Sequence, residues 1–346
     1  MKIDFPLSIK ICESDNEKRN FYASLRSLLV GNVIVLTGPT CSYSLALDLL
    51  SRLNFKPDNI IQVDNNSVTG LTDILDSLLI EDITVLAVGG GKVCDIAKRL
   101  VFTVGGTLII YPTVVSNDGL LSPIAVMSSD ESSVSLPAKM PDHLYIDLSI
   151  IRSAPSKFLI AAAFDLLSNI SATQDWRYAE EHGDEGMNHL AFQLSRMAAN
   201  QLLDCVSWDV GSEEFLRAVI HGQILSAMSM AYAGSSRPCS GSEHLISHAL
   251  DKLNIGENLL HGQKVGRATL FTTYLHMKCV KKMQKLFSVF NCRQTLVDEV
   301  MSDETLLAVF QSSRTVRPGR NTVLDEYSDQ ELLLQYRKFE KEIIQL

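Results

Sequence analysis

The sequence has few of the features that build disulfide frameworks or cysteine metal sites. Its seven cysteines are an odd number, and no two of them are spaced as CxxC. Small secreted domains carry paired cysteines, and structural zinc sites commonly carry CxxC pairs. We therefore expect reduced thiols, as in a cytoplasmic protein.

The chain also lacks a long apolar run and a run of basic residues. Its most apolar long stretch, residues 100–115, is interrupted by Gly105, Gly106 and Pro112 and is too short to cross a bilayer. The N-terminal region carries charges where a signal peptide would be apolar. With a net charge of −9, neither nucleic acid nor a membrane is an expected partner. We expect a small-molecule substrate, and a homo-oligomer remains open.

The length of 346 residues suggests two domains of about 150 residues each. In residues 1–150, apolar runs alternate with amphipathic stretches. The predicted strands are residues 31–38, 59–64, 83–91 and 106–113, and the predicted helices between them are residues 44–53, 72–79 and 92–102. Continuous apolar strands separated by helices indicate a parallel sheet that is covered on both faces. We therefore predict an N-terminal Rossmann-like α/β domain.

From residue 151 to residue 346 the pattern becomes helical. Ser153 and Pro155 resemble a helix start, with serine as N-cap and proline in the first turn. Further predicted helices are residues 157–181, 186–204, 213–233, 243–253 and 263–282. The sequence thus predicts an all-α C-terminal domain, and we expect the active site in the cleft between the domains.

A glycine-rich turn, VGGGKVCD at residues 88–95, joins a predicted strand to a predicted helix. Its three glycines let the backbone approach a ligand, and the following helix presents free N–H groups. It is neither the GxGxxG motif nor a P-loop. The turn is either a pyrophosphate site or a glycine turn without a ligand.

A second polar turn, YPTVVSNDGLLSP at residues 111–123, follows the last predicted strand. Its serine, asparagine and aspartate side chains could simply bond to their own backbone. However, both turns lie at the same predicted edge of one sheet. Their common position favours a cofactor site there.

The helical half contains a group of residues suited to a metal. His244 and His248 are four positions apart and share one face of a helix, and His261 follows. Asp165 interrupts an otherwise apolar stretch. Two imidazoles and a carboxylate can form a three-ligand catalytic zinc site. A lone histidine is more often structural, but the pair, the third histidine and the aspartate together favour a metal site.

Five segments resemble a known family. They are VGGGKVCDIAK, YPTVVSNDGLLSPIA, FDLLSNISATQDW, GSSRPCSGSEHLISHALD with LHGQKVG after it, and VRPGRNTVLDE. Through them the chain resembles the superfamily of iron-containing alcohol dehydrogenases, glycerol dehydrogenases and dehydroquinate synthases, and within it the glycerol-1-phosphate dehydrogenases. The resemblance implies the dehydroquinate synthase-like fold and an NAD(P)-dependent oxidoreductase.

The resemblance also implies roles for individual residues. Asp165, His244 and His261 would bind one divalent metal, zinc in the first instance, with nickel or iron as alternatives. Asp118 and His248 would contact the substrate, and Asp165 would do so as well as binding the metal. The residues implied to bind NAD(H) or NADP(H) are Gly90, Gly91, Lys92, Asp95, Thr113, Ser116 and Ser122.

The implied reaction interconverts dihydroxyacetone phosphate and sn-glycerol 1-phosphate, with the metal polarising the substrate oxygen for hydride transfer. His248 is the candidate for relaying the hydroxyl proton. Because a guanidinium matches phosphate oxygens, Arg237 is the first candidate for binding the substrate phosphate, before Arg317 and Arg320.

Other functions fit the same residues. One is a cyclase like dehydroquinate synthase, and another is a dehydrogenase of an unphosphorylated polyol. A non-enzymatic alternative is a degenerate binding or scaffold protein. The chain also departs from the family at Phe164, where glycine is usual, and at Cys239, where alanine is expected. The Phe164 ring would either reshape the pocket or point into the helical core.

Overall fold

The computed structural model describes residues 8–77, 82–128, 133–183, 185–277 and 280–344. As far as it is described, the chain divides into two compact units. Unit 1 comprises Met1–Val115 and Gly119–Pro155, and unit 2 comprises Ser116–Asp118 and Ser156–Leu346. The short segment Ser116–Asp118 therefore belongs to unit 2, although residues of unit 1 flank it in the sequence.

The strands all belong to unit 1 in the described part of the chain. They are β1 (Ser8–Cys12), β2 (Asn32–Thr37), β3 (Asn59–Gln62), β4 (Ile83–Gly89), β5 (Thr107–Pro112), β6 (Ile124–Ser128), β7 (Ser133–Pro137) and β8 (His143–Asp147). Six of them form a parallel sheet in the order β1-β8-β5-β4-β2-β3. The other two, β6 and β7, form an antiparallel hairpin.

Unit 1 has five helices among its described residues, of which the first four connect parallel strands and the fifth follows β8. They are α1 (Asp15–Leu28), α2 (Cys41–Arg52), α3 (Val68–Ser77), α4 (Gly91–Val104) and α5 (Leu148–Ser153). Val33 and Val35 of β2 join a buried cluster with α1 and α2, while Ile34, whose side chain points to the opposite face, is equally buried. Because the inner strands β2, β4 and β5 are buried on both faces, they are continuous apolar runs, whereas the edge strand β3 is largely exposed.

The predicted strands match β2, β3, β4 and β5 to within two residues at each end. The predicted helix over residues 72–79 corresponds to α3, and its last two residues lie outside the described part. Four strands were not predicted. Two of them, β6 and β7, form the hairpin. The other two, β1 and β8, pair in parallel with Ser8 opposite His143. They are short, and their pairing joins segments that lie far apart in the sequence.

In the described residues of unit 2 the regular elements are all helices, which confirms the all-α prediction. Its helices are α6 (Ser156–Glu181), α7 (His189–Leu203), α8 (Glu213–Ala233), α9 (Ser242–Lys252), α10 (His261–Leu275), α11 (Val280–Val289), α12 (Asp303–Thr315) and α13 (Asp329–Phe339), with shorter turns at Arg237–Cys239, Val323–Glu326 and Glu340–Ile344. Helix α6 packs against α7, α8, α9 and α10. It is buried on all sides, as expected of a central helix.

Two helix boundaries differ from the predictions. Ser153 is not the N-cap of α6 but the last residue of α5, and its hydroxyl donates a hydrogen bond to the carbonyl of Ile150 (2.8 Å). Pro155 then separates α5 from α6. The single helix predicted over residues 263–282 is two helices, α10 and α11, and residues 278–279 between them are outside the described part.

Candidate active site

Three helices of unit 2 bring Asp165, His244 and His261 together. Asp165 lies within α6, His244 in the first turn of α9, and His261 is the first residue of α10. The Oδ1 atom of Asp165 is 3.6 Å from Nε2 of His244 and 3.9 Å from Nε2 of His261. One ligand atom from each residue lies within 4.8 Å of the other two. These side chains thus form a compact triangle of nitrogen and oxygen donors.

The donor triangle fits a metal ion in size and chemistry. Ligand atoms at about 2.0–2.1 Å from a tetrahedral zinc ion lie roughly 3.4 Å apart, slightly less than the two distances to Asp165 Oδ1. That oxygen is buried and has no hydrogen-bond partner among the described residues. An unsatisfied buried carboxylate oxygen is costly unless a cation or donor meets it.

The electrostatics of the triangle suit metal ligands. Desolvation lowers the pKa of His244 to about 3 and that of His261 to about 4, so both imidazoles are neutral at pH 7. Burial raises the pKa of Asp165 well above its usual range, and the nearby charge of Asp118 raises it further. Neutral imidazoles can donate their lone pairs to a metal, and a cation at this point would favour the ionised form of Asp165.

The two predicted substrate contacts lie beside the triangle. The ring centroid of His248 is 6.2 Å from that of His244 and 6.1 Å from that of His261. The backbone N–H of Asp118 donates a hydrogen bond to Oδ2 of Asp165 (3.1 Å). Burial, followed by the two neighbouring histidines, lowers the pKa of His248 to about 3. His248 is therefore neutral at pH 7, less basic than an ordinary histidine.

Glu243 is a neighbour of the triangle that the sequence interpretation missed. The Nδ1 atom of His244 is 2.9 Å from Oε1 of Glu243, and the N–H of Gly241 donates to the same oxygen (2.6 Å). Glu243 is fully buried, and burial followed by the charge of Asp175 raises its pKa to about 7. A carboxylate directly before a candidate ligand in SGSEH was the available signal.

A buried ion pair lies behind the first turn of α9. The Oδ2 atom of Asp175 accepts hydrogen bonds from the N–H and the hydroxyl of Ser242, both at 2.6 Å. Its Oδ1 atom accepts from the N–H of Val323 (2.8 Å) and lies 3.0 Å from Nε2 of His276. Asp175 therefore connects α6, α9, α10 and the segment before α13.

Arg237, the first candidate for binding the substrate phosphate, is fully buried. Its guanidinium donates to the carbonyls of Asp175 (3.3 Å) and Asn321 (2.5 Å), and its Nε atom lies 2.9 Å from Glu185. Both of these hydrogen bonds come from Nη2, whereas Nη1 is buried and has no hydrogen-bond partner among the described residues. The contacts with the two carbonyls fit a structural role, and phosphate binding by Arg237 stays a prediction.

The positive charges of Arg317 and Arg320 contribute to the lowered pKa of His244. Both arginines therefore lie near the triangle. Arg317 donates hydrogen bonds to the hydroxyls of Ser236 (3.0 Å) and Ser240 (3.3 Å), and Arg320 donates to the Ser236 hydroxyl and the Ser240 carbonyl. Burial and the neighbouring arginines lower the pKa of Arg320 to about 9. Clustered guanidinium groups of this kind favour an anion.

In unit 1 the glycine-rich turn lies between β4 and α4, as predicted. Helix α4 begins at Gly91, with Gly90 as its N-cap. A Cβ atom on Gly90 would lie 2.9 Å from Cγ2 of Val114, so a side chain would crowd the turn. Lys92 is exposed in the first turn of the helix. The turn thus offers free backbone N–H groups and a cation, which suit a pyrophosphate.

The second polar turn contributes in part to the same edge. Thr113 is buried, and its N–H donates to the carbonyl of Gly89 (3.0 Å), which joins the ends of β4 and β5. Ser116 is partly exposed and belongs to unit 2.

Lys98 connects the remaining predicted cofactor residues and was not itself predicted. Its ammonium group is fully buried, lies 3.1 Å from Asp95 and donates to the carbonyls of Gly119 and Ile124, both at 2.5 Å. The hydroxyl of Ser122 donates to the carbonyl of Ile124 (2.9 Å). Asp95 and Ser122 therefore contact a buried lysine that holds the turn against α4. A lysine on the apolar face of α4 was the only signal.

The sequence is similar to those of several known proteins. The family model for iron-containing alcohol dehydrogenases matches residues 16–155. A glycerol-1-phosphate dehydrogenase (NAD(P)+) of Methanobrevibacter smithii is 34% identical over 305 residues, 86% of each chain. One of Aeropyrum pernix is 30% identical over 329 residues, covering 94% of this chain and 93% of its own.

Solved structures share the fold at low sequence identity. A probable glycerol dehydrogenase from Sinorhizobium meliloti superposes with a TM-score of 0.75 at 18% identity, covering 98% of this chain and 97% of its own. An iron-containing alcohol dehydrogenase gives a TM-score of 0.69 at 15% identity, with 97% and 98% covered. Among the described residues, no helix is both long enough and apolar enough to cross a membrane.

Proposed function

The chain belongs to the family of glycerol-1-phosphate dehydrogenases, and from this membership we propose that it interconverts dihydroxyacetone phosphate and sn-glycerol 1-phosphate with NAD(H) or NADP(H). The observation that carries the proposal is the triangle of Asp165, His244 and His261, with Arg317 and Arg320 near enough to His244 to contribute to its lowered pKa. The triangle supports a metal-dependent step on an oxygen, and the arginines support a phosphorylated substrate.

Asp165, His244 and His261 would hold one divalent metal, and zinc is the first choice because two imidazoles and a carboxylate are a common catalytic zinc set. Nickel and iron remain alternatives for the same donors. When bound, the metal supplies Lewis acidity toward the substrate oxygen. The burial of Asp165 and His244 excludes water and strengthens electrostatic interactions at this point.

His248 and Asp118 would orient the substrate beside the ligands. His248 is neutral at pH 7, so one ring nitrogen can accept a hydrogen bond from the substrate hydroxyl or receive its proton. Asp118 is held next to Asp165 by its backbone N–H. His248 would relay the proton of the substrate hydroxyl. Because the imidazole of His248 is a weak base, the hydroxyl must be strongly acidified for this transfer.

Arg317 and Arg320 would bind the phosphate in place of Arg237. Hydrogen bonds to the serines of the SSRPCS segment orient the two guanidinium groups. The two positive charges repel each other in this buried place, and a bound phosphate dianion would relieve that repulsion. The net charge of the chain is −9, so a cationic site for a phosphate must be local.

The glycine-rich turn with Lys92 would bind the pyrophosphate of the dinucleotide. The backbone N–H groups at the start of α4 and the helix dipole favour negative charge there. The nicotinamide supplies the hydride. Neither Lys92 nor the turn distinguishes NADH from NADPH, and both cofactors are therefore included in the test.

The test is oxidation of NADH and NADPH by zinc-loaded protein, with dihydroxyacetone phosphate compared with dihydroxyacetone. We expect turnover with the phosphorylated ketone, loss of that turnover in His244→Ala, and little turnover with the unphosphorylated ketone. Absence of oxidation with either ketone, in protein that binds zinc and dinucleotide, would contradict the proposal and favour a cyclase. Equal turnover of both ketones would contradict the phosphate assignment.

A further inference from the structure

Glu243 has a position that neither the metal triangle nor the substrate contacts explain. It directly precedes His244 in the first turn of α9, yet its side chain turns inward and is fully buried. Its Oε1 atom lies 2.9 Å from Nδ1 of His244, the ring nitrogen that does not face Asp165. A buried carboxylate therefore contacts the far side of a candidate metal ligand.

The geometry favours Nδ1 of His244 as the atom that carries the proton in this contact. The N–H of Gly241 donates to Oε1 of Glu243 at 2.6 Å, so this oxygen is already an acceptor. The matching role for Nδ1 of His244 is that of donor. The Nε2 atom of His244, 3.6 Å from Oδ1 of Asp165, then carries the free lone pair. This is the tautomer that a metal at the triangle requires.

The surroundings hold Glu243 in this place. Asp175 accepts hydrogen bonds from both the N–H and the hydroxyl of Ser242, the residue between Gly241 and Glu243. Asp175 is itself held by His276 and by the N–H of Val323. Because the first turn of α9 is anchored from α6 and α10, Glu243 has little freedom to release the imidazole.

We propose that Glu243 is a positioning residue that accepts the Nδ1–H of His244, fixes its tautomer and ring orientation, and thereby raises the affinity of the triangle for a divalent metal. The inference rests on the proposed function in that it takes the triangle to be a metal site. Histidine ligands commonly donate their second ring N–H to a carboxylate, which orients the ring and increases its basicity. Glu243 and Asp165 together would also balance the two positive charges of the ion.

The first experiment measures zinc affinity directly, by competition with a chelating dye, in wild type, Glu243→Gln and Glu243→Ala. Glutamine preserves the shape and one acceptor oxygen but removes the charge, whereas alanine removes the acceptor. We expect affinity to fall roughly tenfold for glutamine and about 100-fold for alanine. The thermal midpoint of each metal-free protein shows whether the variant is folded, and the glutamine variant keeps the test valid if alanine does not fold.

Arg337→Gln is the control. It removes a partly buried arginine that pairs with Asp303 and Glu340, and it leaves the contacts of Glu243 and Asp175 in place. We expect it to lower the thermal midpoint while zinc affinity stays at the wild-type value. Unchanged zinc affinity in both Glu243 variants would overturn the proposal. So would an equal loss of affinity in Arg337→Gln, because that loss would reflect the stability of the fold.

A second readout separates this inference from the proposed function. In metal-free protein, nitrogen NMR shifts of the histidine rings report the tautomer of His244 without any metal or substrate. We expect the Nδ1–H tautomer in wild type and a shift toward Nε2–H in Glu243→Ala. The Nε2–H tautomer in wild type would overturn the role of Glu243. A wild-type protein with the Nδ1–H tautomer that binds no zinc would overturn the metal site instead.

Discussion

The side chain of Phe164 fills space that Gly266 leaves open on the neighbouring helix. A Cβ atom on Gly266 would lie 2.4 Å from Cβ of Phe164. The Phe164 ring is fully buried, stacks on Phe287 with centroids 4.3 Å apart, and meets the edge of Phe290 at 5.7 Å. Of the two alternatives for the ring beside Asp165, the structure supports the one in which it packs into the helical core.

This pairing predicts a coupled effect on stability. Phe164→Ala should lower the free energy of unfolding by about 3–5 kcal/mol through the cavity that it leaves. Gly266→Ala should lower it by about 1–3 kcal/mol through overpacking against the phenylalanine. In the double variant the added methyl group has room, so urea unfolding should show a loss smaller than the sum. Strict additivity of the two losses would mean that the residues do not share this space.

Arg320→Met tests the phosphate site. It removes a guanidinium that is oriented by the Ser236 hydroxyl and lies near enough to His244 to contribute to its lowered pKa. The loss of one charged hydrogen bond to the phosphate, about 2 kcal/mol, should lower kcat/KM for dihydroxyacetone phosphate about 30-fold. The low rate with dihydroxyacetone should not change. Steady-state kinetics with both ketones checks this prediction.

Arg217→Gln is the control for that measurement. Arg217 is an exposed arginine of α8 that pairs with Glu213, and its loss should leave both rates at the wild-type values. If Arg320→Met lowered the rates with both ketones equally, the arginine would act on the shared chemistry and not on the phosphate.

Lys98→Met should destabilise unit 1. The substitution leaves Asp95 and the carbonyls of Gly119 and Ile124 without their buried cation. Breaking a buried ion pair by removing one partner costs about 3–5 kcal/mol, and chemical denaturation would measure it. The exposed Lys92→Met variant should change stability by less than about 0.5 kcal/mol but weaken dinucleotide binding. Wild-type stability in Lys98→Met would show that the turn holds without the lysine.

The pair of Asp175 and His276 predicts a dependence of stability on pH. Burial disfavours the imidazolium, but the Asp175 carboxylate outweighs it and raises the pKa of His276. Burial also opposes ionisation of Asp175, but His276 and Ser242 outweigh it and lower the pKa of that carboxyl. The stabilisation from His276 is complete below its unfolded-state pKa of about 6.5 and is lost as the pH rises through the raised value. That from Asp175 is complete above about pH 4 and is lost as the pH falls through the lowered value.

The measurement compares wild type with His276→Gln. The difference in the free energy of unfolding should be larger at about pH 5.5 than at about pH 9, where the folded protein no longer holds the extra proton. A difference that does not change with pH would show that His276 is neutral in the folded state.

Strands and helix starts with a local pattern of residues could be predicted from the amino-acid sequence alone. The strands β2, β4 and β5 could be predicted because a parallel strand buried on both faces is a continuous apolar run that ends at glycine or proline. The start of α4 followed from the glycine-rich turn, and the shared face of His244 and His248 followed from their spacing. The residue types grouped Asp165 and His261 with this pair, and the family resemblance then implied Asp165, His244 and His261 as the metal ligands.

Contacts between segments that are distant in the sequence could be found only in the tertiary structure. The pairing of β1 with β8, the contact of Lys98 with the turn at Gly119 and the position of Arg320 near His244 join segments far apart in the chain. No local period or propensity encodes such contacts, because they depend on how whole elements pack. Packing also explains the positions of two arginines. Arg237 is adjacent in sequence to the histidine helix but is buried in the core, whereas Arg320, distant in sequence, lies near His244.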